Sequence, residues 1–123
     1  MVFADPVEVV RAVAPDGIRV CDDVPAQRPA RFITVDYLPV GASHAGVRQA
    51  ILARRRLALY VWGGSVEDAR VTCERLRDAL VSWRGGRGVR GFEVVGEPSR
   101  RDDIDSGHHR FLLTVDARVR AFR

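Results

Sequence analysis

The chain has 123 residues, 46% of them hydrophobic and 29% charged, which is ordinary for one soluble globular domain and too apolar for general disorder. Its net charge of +4 sets 20 basic residues against 16 acidic ones, and every basic residue is arginine, the side chain suited to planar, bidentate contacts at protein interfaces. No apolar run approaches the roughly 18 residues of a membrane span. "MVFADPVEVV" has no basic region followed by an apolar stretch, so no signal peptide is expected and the protein is expected to be made and kept in the cytoplasm.

The first predicted element is a short amphipathic helix in "DPVEVVRAVA". Asp5 is placed as N-cap, Pro6 at the first helical position and Glu8 in the first turn. Val7, Val10 and Val13 share its apolar face, and Pro15-Asp16-Gly17 ends it. "IRVCD" is a brief strand and "DVPAQRPA", with two prolines, a loop. "RFITVDYLPV" is the second strand, rich in β-branched and aromatic residues and stopped by Pro39. Ile33, Val35 and Tyr37 line one of its faces, and Phe32, Thr34 and Asp36 the other.

"GASHAGVRQAILA" follows as a loop or irregular arm, and Arg55 to Trp62 form a third strand. Both faces of that strand are mostly apolar, which predicts a central place in the sheet. The strongest helical pattern is "SVEDARVTCERLRDALVSW". Ser65 with Asp68 fits a capping box, and Val66, Ala69, Cys73, Leu76, Leu80 and Trp83 step by threes and fours into one apolar stripe. On the opposite face an attractive Arg70–Glu74 pair and a repulsive Glu74–Asp78 pair are expected, each worth only a few tenths of a kcal/mol.

"RGGRGVRG" is a glycine-rich turn, "FEVVGEP" a fourth strand broken by Gly96 and Pro98, and "SRRDDIDSG" a polar connection. The last strand, "RFLLTVDARVRAF", alternates: Phe111, Leu113, Val115, Ala117 and Val119 point one way and Arg110, Leu112, Thr114, Asp116, Arg118 and Arg120 the other. The sum is an α+β fold: a mostly antiparallel or mixed sheet of about four to five strands with two helices packed on one face, all in a single domain over residues 1–123.

Candidate chemistry is thin. Asp102, Asp103, Asp105, His108 and His109 carry metal-ligating groups, but adjacent histidines on an extended chain point to opposite faces. "DDIDSG" also lacks the later ligands of a calcium loop. A solvated loop is the expected outcome, with an interface role for the histidines as the functional alternative. Ser43-His44 is a sequential neighbourhood rather than a nucleophile–base pair. The glycine-rich turn is no phosphate loop, because a Walker motif needs a lysine. Cys21 and Cys73 lack the paired spacing of a zinc site, and Cys73 on the helix stripe reads as a small buried residue. No catalytic, cofactor-binding or metal-binding residue is picked, and no enzyme activity is expected.

What remains points to assembly. Arg54, Arg55 and Arg56 precede an apolar strand, and Arg118, Arg120 and Arg123 decorate the polar side of the last one. A solvated face with snorkelling side chains is one reading, and an arginine-rich rim around subunit contacts is the other. With Arg100, Arg101, Asp102 and Asp103 of the polar connection, Arg54, Arg55, Arg56, Arg118 and Arg120 are the candidate interface residues.

"RPARFITVDYLPVG", "RRRLALYVWGGSVEDARVTCERLRDAL" and "GFEVVGEPSRRDDIDSGHHRFLLTVDARVRAF" resemble, in order and spacing, the tail terminator proteins of long-tailed (siphovirus) bacteriophages, with those of actinobacterial phages nearest in style. The resemblance covers roughly residues 28–123 and rests on no catalytic motif. It implies an α+β virion protein, assembled in the host cytoplasm, that closes into a hexameric ring on the finished tail tube. Such a ring stops tube polymerisation and presents the surface for head–tail joining, with no cofactor and no membrane. Its implied partners are copies of itself, the tail tube protein and a head completion or connector protein, with DNA passing non-specifically through the ring. "LPVGASHAGVRQAILA" and "SRRDDIDSGHH" would be contact arms, being long for so small a domain. Another head–tail connector or neck protein, and a basic nucleic-acid-binding module, stay open as alternatives.

Overall fold

A computed structural model describes residues 2–41 and 52–122, with the backbone alone at Phe122. The expected arm at 42–51, including Ser43 and His44, and Arg123 lie outside the described residues. The elements are β1 (Val2–Phe3), α1 (Val7–Val13), a 3-10 turn (Pro15–Gly17), β2 (Val20–Cys21), β3 (Phe32–Leu38), β4 (Leu52–Gly63), α2 (Val66–Val81), β5 (Val89–Arg100) and β6 (His109–Phe122). The fold is α+β, as the alternation of patterns predicts.

One six-stranded sheet runs β1-β6-β4-β3-β2, and β5 also pairs with β6. β2 is parallel to β3 and every other pairing is antiparallel. Arg120 donates its N–H to Gly88 O and accepts from Ala4 N at its own carbonyl. Both groups of one strand residue point to the same edge, so β1 and the start of β5 lie end to end along one side of β6.

β4 is central, between β3 and β6, as its two apolar faces predict. It begins earlier than expected, at Leu52, because β6 continues to Arg120 and offers partners all the way along. Arg54, Arg55 and Arg56 are therefore inside the strand rather than ahead of it. β5 also exceeds its expectation. It continues through Gly96 and Pro98 to Arg100, with register shifts at Val89/Gly91, Val94/Gly96 and Gly96/Ser99. A strand bonded on one side tolerates proline and bulges that a central strand would not.

The helices cover one sheet face. Ile33, Val35, Leu57, Leu59, Val61, Leu113 and Val115 meet Val7 and Val10 of α1 and Ala69, Cys73, Leu76 and Leu80 of α2 in one buried cluster. A second cluster at the β1 end joins Ala4, Val9, Val89, Ala117 and Val119. The α2 stripe is the one expected, with Thr72 also buried. Trp83 falls just past the helix and its indole N–H donates to Val89 O at 3.0 Å, tying the glycine-rich turn back onto the helix end. Burial, followed by the nearby Glu74 charge, pushes the Cys73 thiol up to about 12. At pH 8 it stays a neutral thiol without nucleophilic character. An aromatic disulfide reagent is accordingly expected to label no more than one thiol per native chain and both after unfolding in urea.

Capping differs in detail from the expectation. α1 starts at Val7, yet Asp5 Oδ1 still accepts from Val7 N at 3.0 Å. Ser65 Oγ accepts from Asp68 N at 3.0 Å, which is half of a capping box. The Asp68 carboxylate takes Gly64 N at 3.3 Å and Arg31 Nε at 2.9 Å. Arg70 pairs with Glu67 at 2.6 Å rather than with Glu74, its Nε and Nη2 both engaging the one first-turn carboxylate.

Candidate functional site

The sheet face opposite the helices carries the polar side of the alternation, and its register defines rows. Phe32, Trp62 and Arg110 form one row, Thr34, Tyr60 and Leu112 the next, then Asp36, Ala58 and Thr114, then Leu38, Arg56 and Asp116, with Arg54 beside Arg118 and Leu52 beside Arg120. Pairing partners point to the same face, so Arg54, Arg56, Arg118 and Arg120 share this surface. Arg55 does not. It alternates to the other face, where its guanidinium lies 5.1 Å from the centre of the Phe3 ring.

Asp116 organises the arginine part of the face. Only 3% exposed, it accepts from Arg56 Nε at 2.7 Å and Nη2 at 3.0 Å, a bidentate pair, and Arg54 Nε lies 3.8 Å from its other oxygen. Arg54 also donates to Gly41 O at 3.0 Å. Removing a buried acid leaves its cations unpaired, which in a closed interior costs about 3–5 kcal/mol. Arg54 and Arg56 retain 33% and 29% side-chain exposure, so water screens part of that loss and Asp116→Ala is expected to cost about 1–3 kcal/mol. Urea denaturation checks this, and Asp116→Asn, which keeps one acceptor, should cost less.

The far end of the same face is aromatic. Phe32 and Trp62 stack at 5.1 Å, and Trp62 Nε1 donates to Thr34 Oγ1 at 3.1 Å. The Arg110 guanidinium sits 4.3 Å from the Tyr60 ring centre and 5.0 Å from that of Trp62, and Arg28 lies 5.6 Å from Trp62. Cations over aromatic faces are attracted by the ring quadrupole. Asp22, Asp23 and Asp36 join Thr34, Tyr60, Trp62 and Arg110 around a recess of about 330 Å³. The expected site residues include neither Asp116 nor this aromatic end. The available signal was the placing of Phe32 on the strand face opposite Ile33, Val35 and Tyr37.

Arg100, Arg101, Asp102 and Asp103 are brought together at this far end, away from Arg54 and Arg118. Arg100 holds Asp102 at 2.8 Å, and that hydrogen bond is the main cause keeping the Asp102 carboxyl below its ordinary range. Asp103 is lowered chiefly by its hydrogen bond from the Ser106 hydroxyl and also accepts from Ser106 N at 3.2 Å, closing the turn into β6. The expected interface set is thus split in two by the sheet.

Two further acids serve the scaffold. Asp16 accepts from Arg75 Nη1 at 2.7 Å and Nη2 at 3.1 Å, and Arg31 reaches Asp68 at 2.6 Å, so the 3-10 turn and the approach to β3 are both tied to α2. Those arginine hydrogen bonds are the leading cause holding the Asp16 and Asp68 carboxyls below the usual carboxylate range.

His108 Nδ1 lies 3.0 Å from Arg28 Nη1, and His109 Nδ1 lies 3.8 Å from Asp102, so the adjacent histidines take different partners. Among the described residues no three His, Cys, Asp or Glu side chains are grouped to hold a metal ion, and no helix is long and apolar enough to cross a membrane. What the face offers is arginine forks, stacked aromatics and a few acids at fixed spacing. No protein-family model matches the chain, and no curated protein matches it either.

Proposed function

We propose that the protein is a structural subunit of a bacteriophage tail, a terminator that closes as a hexameric ring on the end of the tail tube and forms the surface for head–tail joining. The reading comes from the resemblance in order and spacing over roughly residues 28–123. The structural observation that supports it is the unlike composition of the two ends of the outer sheet face. One end carries Arg54, Arg118 and Arg120, and the other carries the aromatic row with Asp22, Asp23 and Asp36 beside Arg110 and Arg28. A ring is a head-to-tail assembly, so one face of each subunit must complement a different face of the next. The tube protein and a head completion protein are the other partners, and the site of action is the head–tail interface of the virion.

Tails assembled without the protein test this. The expected result, by electron microscopy, is tubes of unregulated length without heads. Tails of normal length with heads attached would refute the proposal.

A further inference from the structure

Ion pairing divides the arginines. Seven of them, on α1, β4, α2, β5 and the approach to β3, hold a carboxylate at 2.8 Å or closer. Ten described arginines have no carboxylate within 4.0 Å among the described residues. Of these, Arg28, Arg55, Arg101 and Arg110 lie over rings or against backbone carbonyls, Arg19 lies apart just before β2, and Arg84, Arg87, Arg90, Arg118 and Arg120 remain. These five lie on two segments that meet. Arg84, Arg87 and Arg90 belong to the turn between α2 and β5 and its entry into β5, and Arg118 and Arg120 to the end of β6 that the turn reaches.

Arg120 N donates to Gly88 O at 2.8 Å, and Arg84, Arg90 and Arg120 line one recess of about 320 Å³. The Arg118 guanidinium lies across Gly91, where an added Cβ would come within 2.8 Å of Nη2. Across the ladder Arg118 faces Arg54. Like charges set opposite each other on a sheet repel, and Asp116, which lies 3.8 Å from Arg54, makes no ion pair with Arg118.

These five exposed arginines are open to an anionic partner, and the lining of the recess narrows its chemistry. Glycines at 85, 86 and 88 keep the backbone open to close approach. None of the exposed large hydrophobic residues among the described ones lines the recess, so it lacks the apolar centre of a protein interface. Trp83, the aromatic under the turn, packs against Gly86 and is bonded to Val89 O. It is not free to stack on an unpaired base, as single-strand binding requires. Arginine forks with neither aromatic nor apolar anchors suit regularly spaced phosphates.

We propose that this arginine end binds the phosphate backbone of double-stranded DNA without regard to sequence. The inference goes beyond ring formation and does not need it, so the two fail separately. A protein that leaves tail length unaltered but binds DNA as described retains this function and loses the other.

The test is fluorescence anisotropy of a labelled random-sequence duplex between about 50 and 200 mM salt. With all five arginines on phosphates, the log–log slope is expected near −4.5, at about 0.9 per contact. The triple variant Arg84→Ala, Arg90→Ala, Arg120→Ala should lose about 2.7 of that slope. The control Arg11→Ala, Arg70→Ala, Arg77→Ala removes the same charge from paired positions and should keep it. Circular dichroism establishes that both variants fold. A duplex slope that follows the triple variant and not the control supports the proposal. Absence of binding at the lowest salt overturns it, as do equal losses in both variants, tighter binding of a single strand of equal length, or equally effective competition by polyglutamate of matched charge.

Discussion

Leu59→Ala is expected to remove about 2–5 kcal/mol of stability, read as a shift of the urea midpoint at unchanged slope. Leu59 is fully buried on the central strand β4 and lies in register between Val35 of β3 and Leu113 of β6. The α2 stripe closes over the same cluster. Deleting its branched end removes the transfer gain and leaves a cavity bounded by two backbone ladders, which cannot move inward without breaking pairs. That places the cost toward the upper part of the range. Val95→Ala makes the comparison: Val95 is 47% exposed on β5, and its truncation should stay within about 0.5 kcal/mol.

Gly63→Ala is the second large effect, and it comes from adding a single methyl group. A Cβ at Gly63 would stand 2.7 Å from Ala69 N and 2.9 Å from Ala69 Cα. Both are backbone atoms of the first turns of α2, so no side chain can swing aside. Either the β4 end or the helix start must shift, and the helix is pinned there by the Ser65 cap and by Asp68 with Arg31. Overpacking of this kind costs about 1–3 kcal/mol and occasionally more. Thermal unfolding should show the loss for Gly63→Ala. Gly64→Ala, next in the chain with nothing within 4 Å of an added Cβ, should show little.

Much of this fold is written locally. The α2 stripe and the alternation of β6 repeat over enough residues to be unambiguous, and the residues buried on them, Thr72 and Asp116 apart, are among those that the periods select. The central place of β4 followed from the apolar character of both its faces. Boundaries set by a partner strand were not legible. β4 reaches back to Leu52 because β6 is long, and β5 passes Gly96 and Pro98 because it bonds on one side and can bulge. β1 is two residues long and carries no period at all.

The candidate surface was legible only in part, and the reason is again long range. Alternation put Arg118, Arg120 and Asp116 on one face of β6, but which arginines are neutralised depends on contacts such as Arg75 with Asp16 and Arg77 with Glu97, far apart in the chain. In sequence the arginines look evenly interleaved with acids. In the fold five of them are left together. The interface set drawn from charge runs likewise divides, with Arg54, Arg56, Arg118 and Arg120 at one end, Arg100 to Asp103 at the other, and Arg55 turned toward Phe3.

The central proposal is that this subunit acts by fitting onto the end of a tube. Its most direct test is to polymerise the tail tube protein with increasing amounts of this protein and measure tube lengths and ends by electron microscopy. The account predicts that mean length falls as the ratio rises and that one end of each tube gains a six-fold ring of density. Unchanged lengths with bare ends at every ratio would contradict it.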